Sequence, residues 1–256
     1  MSGAGFQGAL AELLTVPAAR RAFNEQPTAF ATRFGLTVAE LGALMANPNA
    51  RLELNATTVV AKRLSLVRRG LPATTHVLFS NGQLDRVLAS FVEHCEPHRS
   101  ATDVNRQLVD GQRFADHLRT FAPQGMSFTA DLAAYEVALA RLSFGTPSSV
   151  GVDFAGSRLG DHVELARFDV DVVQLHEEWL KSDEVPASPP YRPTWLVLAR
   201  IPGRVALARF RLGEKAYAFL DRARGGNLVA TSDGERAVIR FAQEQGLLGP
   251  PMNLEN

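Results

Sequence analysis

Apolar and charged residues alternate along two short runs near the C-terminus, Thr194 to Ile201 (TWLVLARI) and Val205 to Leu212 (VALARFRL), on either side of Pro202-Gly203-Arg204. Period-two alternation across a short glycine-containing turn predicts a β-hairpin. The period then lengthens. Ala216, Phe219, Leu220 and Ala223 fall on one stripe of a helix expected over Glu214 to Arg224, closed by Gly225-Gly226. Thr231-Ser232-Asp233 opens a second helix, which carries Ala237, Val238, Phe241 and Ala242 and ends at Gly246-Leu247-Leu248. Strand, strand, helix, helix is a winged-helix-like layout with a small sheet, an edge and a groove beside a helix.

The N-terminal half has the longer period throughout. Helices are expected at Phe6 to Leu14, at Ala18 to Phe23 after Pro17, and at Thr28 to Phe34 between Pro27 and Gly35. Thr37 and Glu40 form a capping box for Val38 to Ala46. After Asn47-Pro48-Asn49 comes a longer helix, Ala50 to Arg69, stopped by Gly70-Leu71-Pro72. Its end gathers Lys62, Arg63, Arg68 and Arg69, either a solvated helix end favoured by the dipole or a docking face for an acidic partner. One helical region is expected from Thr75 through His94, another from Ser100 to Phe121 with Gly111 in its middle, and a third from Phe128 to Leu142.

The character changes at Gly145 to Ser149. Val163 to Leu175 alternates, which reads as a strand with Asp169 and Asp171 on the solvated face, passing into a helical turn near His176 to Leu180. Lys181 to Pro193, with four prolines, is expected to be a loop. The pattern defines an α+β chain. Residues 1–145 form an all-helical half, and residues 160–249 form a small C-terminal domain of short antiparallel sheet and helices.

Composition narrows the classes. Hydrophobic content of 46% suffices for a packed core, and the acids and bases balance at 27 each, so no net field draws the chain to nucleic acid or anionic lipid. A single cysteine, Cys95, excludes an internal disulfide and suits a reducing cytoplasm. Met1 to Leu14 has no signal-peptide pattern, and no apolar run approaches the ~20 residues that cross a bilayer. No membrane partner is expected.

The candidate chemistry is sparse. His94 and His98 stand four apart, as helical metal ligands do, with Cys95 between, but Pro97 breaks the turn that would align them. Asp153, Asp161, Glu164, Asp169 and Asp171 lack calcium-loop spacing and read as a solvated strand face. His176, beside Glu177 and Glu178, reads as helix surface, and Trp195 as core. Arg209 and Arg211 share the strand face opposite Phe210 and Leu212, either as a solvated face or as a basic face for an acidic peptide. No nucleophile–base pair emerges.

Several of these stretches resemble a known family. PTWLVLARIPGRVALARFRL, with the alanine-rich helix closing on Gly-Gly and the helix ending GLL, is similar to the C-terminal domain of the RRE-containing partner subunits of multinuclear non-heme iron-dependent oxidative enzymes in ribosomal peptide (RiPP) biosynthesis. LAELLTVPAARRAFNEQPTAFATRFGLTVAEL, AKRLSLVRRGLPAT and DLAAYEVALARLSF resemble their N-terminal signature and linking helix, and Phe79 to Thr120 is unmatched. The methanobactin and 3-thiaglutamate (pearlin) pathways contain such partners, and the long helical half favours the latter.

The resemblance implies a non-catalytic subunit that forms a heterodimer with an iron-dependent TIM-barrel enzyme through its helical half. It would recruit a precursor or carrier peptide for cysteine modification. No cofactor is expected in this chain, and the iron belongs to the partner enzyme. The peptide would add as a strand to the sheet edge. Carried onto this sequence, the contact set is Arg204, Val205, Ala206, Leu207, Ala208, Arg209, Phe210 and Arg211 on the edge strand, with Arg236 and Arg240 on the last helix; Ala206 and Ala208 are small for the role. Two other readings stay open: a winged-helix DNA-binding regulator, for which Arg236 and Arg240 amid Glu235 and Glu244 are few bases, and a metalloenzyme using His94 and His98.

Overall fold

The computed structural model describes residues 3–46, 49–95, 103–144, 158–182, 185–186, 188–201, 203–222 and 228–249. The expected breaks at Asn47-Pro48 and Gly145 to Ser149, the closing Gly225-Gly226, and the candidates His98 and Asp153 lie outside those residues. The fold is α+β, and the chain divides into two compact units, Met1–Ala133 and Ala134–Asn256.

The first unit is helical: α1 (Gly3–Thr15), α2 (Pro17–Glu25), α3 (Pro27–Phe34), α4 (Val38–Met45), α5 (Asn49–Gly70), α6 (Pro72–Ser80), α7 (Leu84–His94), α8 (Asp103–Phe121) and the start of α9 (Phe128–Phe144). Pro17, Pro27 and Pro72 each take a first helical position, where the missing N–H costs nothing. The Thr37–Glu40 box forms in full: Thr37 Oγ1 accepts from the Glu40 N–H, and the Glu40 carboxylate accepts from the Thr37 N–H at 2.8 Å. The helix expected from Thr75 to His94 is two helices. Gly82, at φ 64°, takes the left-handed conformation that ends α6, and Gln83 N–H reaches back to the Leu78 carbonyl. Gly111, by contrast, sits buried inside an unbroken α8.

Packing explains the helical stripes. Ala9, Leu13, Ala19, Phe23, Phe30 and Leu44 form one buried cluster, with the Phe23 and Phe30 rings edge-on at 5.3 Å. One expectation fails for a physical reason. Arg63, grouped with the solvated end of α5, is buried, because Asp110 of α8 faces it at 3.0 Å and the Cys95 carbonyl accepts a second bond at 2.8 Å. Its guanidinium also lies 4.4 Å over the Phe91 ring. Lys62, Arg68 and Arg69 are exposed as expected.

The second unit holds the sheet. β1 (Arg158–Leu159) pairs with β5 (Leu248–Gly249), a two-stranded contact the sequence pattern did not suggest. β2 (Val163–Phe168), β3 (Thr194–Ala199) and β4 (Ala208–Leu212) form an antiparallel sheet in the order β2-β3-β4. The helices are the C-terminal part of α9, α10 (Val172–Ser182), α11 (Glu214–Arg222) and α12 (Asp233–Glu244).

Register fixes the two faces of the sheet. Leu165, Val197 and Phe210 line up across the strands and face the cluster built with Phe219 and Leu220 of α11 and Ala242 of α12. Phe168, Leu196 and Arg211 lie on the other face, where the Phe168 ring meets Tyr135 of α9 edge-on at 6.0 Å.

Several boundaries move. The hairpin strands are shorter than the apolar runs. Arg204 to Leu207 lie in the connecting turn rather than in β4, with the Arg204 N–H bonded to the Ile201 carbonyl at 3.1 Å. The strand expected to run past Val170 stops at Phe168. Asp171 is not on a solvated face: it is 6% exposed and caps α10, accepting the Gln174 N–H at 3.0 Å.

Candidate functional site

The phase of the β-ladder shows which backbone groups β4 leaves open. Arg200 N–H donates to the His162 carbonyl at 3.0 Å, and this pair continues the register of β2 with β3. Hydrogen-bonded pairs in an antiparallel ladder recur every second residue, so Thr194, Leu196 and Leu198 bond toward β2. Trp195, Val197 and Ala199 therefore bond toward β4, to Leu212, Phe210 and Ala208. Arg209 and Arg211 direct their N–H and C=O groups away from the sheet. Among the described residues no strand pairs with this side of β4, and no backbone group from another segment reaches those two residues.

A strand with one open side is a template for a second chain. The side chains around this edge are ordered differently on its two faces. On one face Phe210 meets Phe241 of α12 edge-on at 5.3 Å, with Val238, Ile239 and Leu212 also half-buried nearby. On the other face both arginines already have partners in the fold. Arg211 makes two bonds to the Asp171 carboxylate, that from Nη2 to Oδ1 at 2.8 Å. Arg209 reaches the Tyr135 hydroxyl at 3.2 Å and Glu177 at 3.6 Å.

The electrostatics follow. Burial alone would push the Asp171 carboxyl up, but the bonds from Arg211 and Gln174 and the charges of Arg211 and Arg192 hold it below the usual carboxylate range. Burial pushes the Tyr135 phenol up against the opposing pull of Arg209. Burial and then the Arg209 charge push His176 down, so its ring stays neutral. His176 is half-buried against Tyr135 at 5.5 Å, not on the helix surface as expected.

The remaining candidates scatter. Arg204 and Val205 are fully exposed at the hairpin turn. Arg236 and Arg240 lie on the exposed face of α12, and Arg236 is paired with Asp233 three residues before it. Trp195 is half-buried and lines a groove of about 910 Å³ between the sheet, α11 and the start of α12. In the helical unit His94 stacks near His117 and Phe121, its Nδ1–H donating to the Ser90 carbonyl at 2.8 Å, while His117 Nδ1 stands 3.8 Å from Cys95 Sγ. Burial pushes the Cys95 thiol up and the His117 imidazole down. Among the described residues no three His, Cys, Asp or Glu side chains gather in a way that could hold a metal ion, and no helix is long and apolar enough to cross a membrane.

Sequence reasoning missed the Asp171–Arg211 pair and the groove. Asp171 had a local signal, since Asp three residues before Gln174 at the head of an apolar stripe is an N-cap pattern. The groove had none, because its walls come from segments separated along the chain.

No family model matches the chain, and no curated protein matches it.

Proposed function

We propose that this chain is a non-catalytic accessory subunit that recruits an extended precursor or carrier peptide by strand addition at β4. The peptide is delivered to an iron-dependent TIM-barrel oxidase, which modifies a cysteine of it in 3-thiaglutamate-type biosynthesis. The C-terminal unit acts as the RRE-like recognition element, and the helical unit docks the enzyme. The iron resides in the enzyme.

The observation that carries the reading is the open edge of β4, with the Arg209 and Arg211 backbone groups directed outward beside the Phe210–Phe241 contact. Main-chain bonds to that edge supply affinity for any extended chain, and alternate side chains of the added strand select for sequence. The residue resemblance supplies the class of enzyme. The contact set narrows to Ala208–Leu212, because Arg204 to Leu207 are not in the strand. Arg209 and Arg211 orient the edge through α9 and α10 rather than offer free charge to the peptide.

A DNA-binding reading has less support. The exposed face of α12 carries Asp233 and Glu244 among its two arginines, and a recognition helix needs bases that outnumber acids.

Co-expression with the genes adjoining this one tests the proposal. The expected result is a stoichiometric complex with a TIM-barrel protein whose iron stays with that partner. A chain that elutes alone with tightly bound metal overturns it.

A further inference from the structure

The groove beneath α11 and α12 is separate from the β4 edge, and nothing said so far uses it. Its floor is the sheet end formed by Arg167 and Trp195, which are paired in register. Its walls are the first turns of α11, from Gly213 through Tyr217, and the start of α12 up to Val238. At about 910 Å³ it is large enough for several side chains. It begins where the edge ends, since Gly213 follows Leu212, the last residue of β4, and Leu212 is the register partner of Trp195.

The charges of the lining are not evenly committed. Glu235 is held by Thr231 and Arg222, and Asp221 is bonded within the fold. That leaves Glu214 against two cations, Arg167 and Lys215, which have no ion-pair partner among the described residues. Beside them lie the half-buried faces of Trp195 and Val238, an apolar surface next to a cationic rim.

Resting on the strand-addition reading, we propose that this groove is a second subsite for the same peptide and selects an acidic residue adjacent to an aromatic or aliphatic one. The apolar side chain seats against Trp195 and Val238, and the carboxylate meets Arg167 and Lys215. An added strand antiparallel to β4 has its N-terminal end at Leu212, so the selected pair precedes the paired segment. Edge hydrogen bonds are blind to sequence, and the groove supplies what they lack.

The experiment is a selection from a displayed library of random peptides on the full chain, followed by titration of one enriched synthetic peptide. Enriched peptides are expected to share an acidic–apolar pair. Replacing the acid by its amide, or introducing Arg167→Ala with Lys215→Ala, should each weaken binding about tenfold, and more at low salt than at high. Both arginine and lysine side chains are exposed, so these substitutions leave the fold intact. Enriched peptides without an acidic preference, or binding indifferent to both changes, overturn the proposal. Protection of the Arg209 and Arg211 amides from exchange in that same complex separates the two ideas. Protection with no groove dependence leaves the edge reading standing and sinks the subsite; groove dependence without protection sinks the edge reading. A library that yields no binder overturns both.

Discussion

Arg211 on β4 and Asp171 at the head of α10 are joined by two N–H···O bonds, so the outermost strand is tied to the helix behind the sheet. Asp171 is also the cap of α10, which makes one carboxylate serve strand and helix together. Replacing Asp171 by Ala removes both and should cost the C-terminal unit about 2–3 kcal/mol in urea unfolding at neutral pH. Because the folded pKa of Asp171 is lowered, its stabilisation is full above the unfolded carboxyl pKa of about 3.9 and is lost as pH falls through the folded value. The gap between wild type and Asp171→Asn should therefore close toward pH 3. A gap unchanged with pH would contradict the pairing.

Arg63 and Asp110 are both buried in the helical unit, and neither can lose its partner cheaply. Asp110→Ala leaves a buried guanidinium with reduced compensation and should destabilise the unit by about 3–5 kcal/mol. Adding Arg63→Met should restore most of that loss, since a packed apolar pair can replace a buried ion pair. A double variant no more stable than Asp110→Ala would show that the charge pair is not the source of the cost.

Each unit contains one histidine that burial keeps neutral, His117 in the first and His176 in the second. Their folded pKa values are lowered, so below the ordinary value of about 6.5 the unfolded chain binds protons that the folded chain refuses. Stability should fall as pH drops from 7 toward 5. His117→Phe, which keeps a ring between Phe91 and Phe121, should lessen that fall when urea midpoints at the two pH values are compared. An identical fall in the variant would assign the acid sensitivity to other groups.

The phase of the β4 ladder is open to a direct test by paired proline substitutions. Arg209→Pro deletes an N–H that faces outward and should lower stability by about 1 kcal/mol or less, since proline is tolerated on an edge. Phe210→Pro deletes an N–H bonded to Val197 and should cost about 1–3 kcal/mol more. Thermal melts that rank the two in the opposite order would place the open groups on the wrong residues.

How far the sequence led differs between the two units. Helix periodicity, proline at first positions and the Thr37–Glu40 box located most of the helical unit, because those signals are local. The hairpin and its two following helices were legible for the same reason. Arg63 and Asp171 were misplaced because a charge alternating with apolar residues reads as solvated unless its partner is known, and those partners lie 47 and 40 residues away. The Arg204 to Leu207 stretch continued the alternation of β4, yet a turn around Gly203 used it up. The edge was foreseen as a place; that its arginines are bound inward depended on Tyr135, Asp171 and Glu177, which only the fold brings together.

Amide hydrogen exchange across β4, with and without a bound peptide selected on the full chain, tests the central claim most directly. Strand addition predicts that the Arg209 and Arg211 amides slow on binding by about tenfold or more, while Ala208, Phe210 and Leu212, already bonded to β3, change little. A peptide that binds and leaves the Arg209 and Arg211 amides exchanging as before would contradict strand addition at this edge.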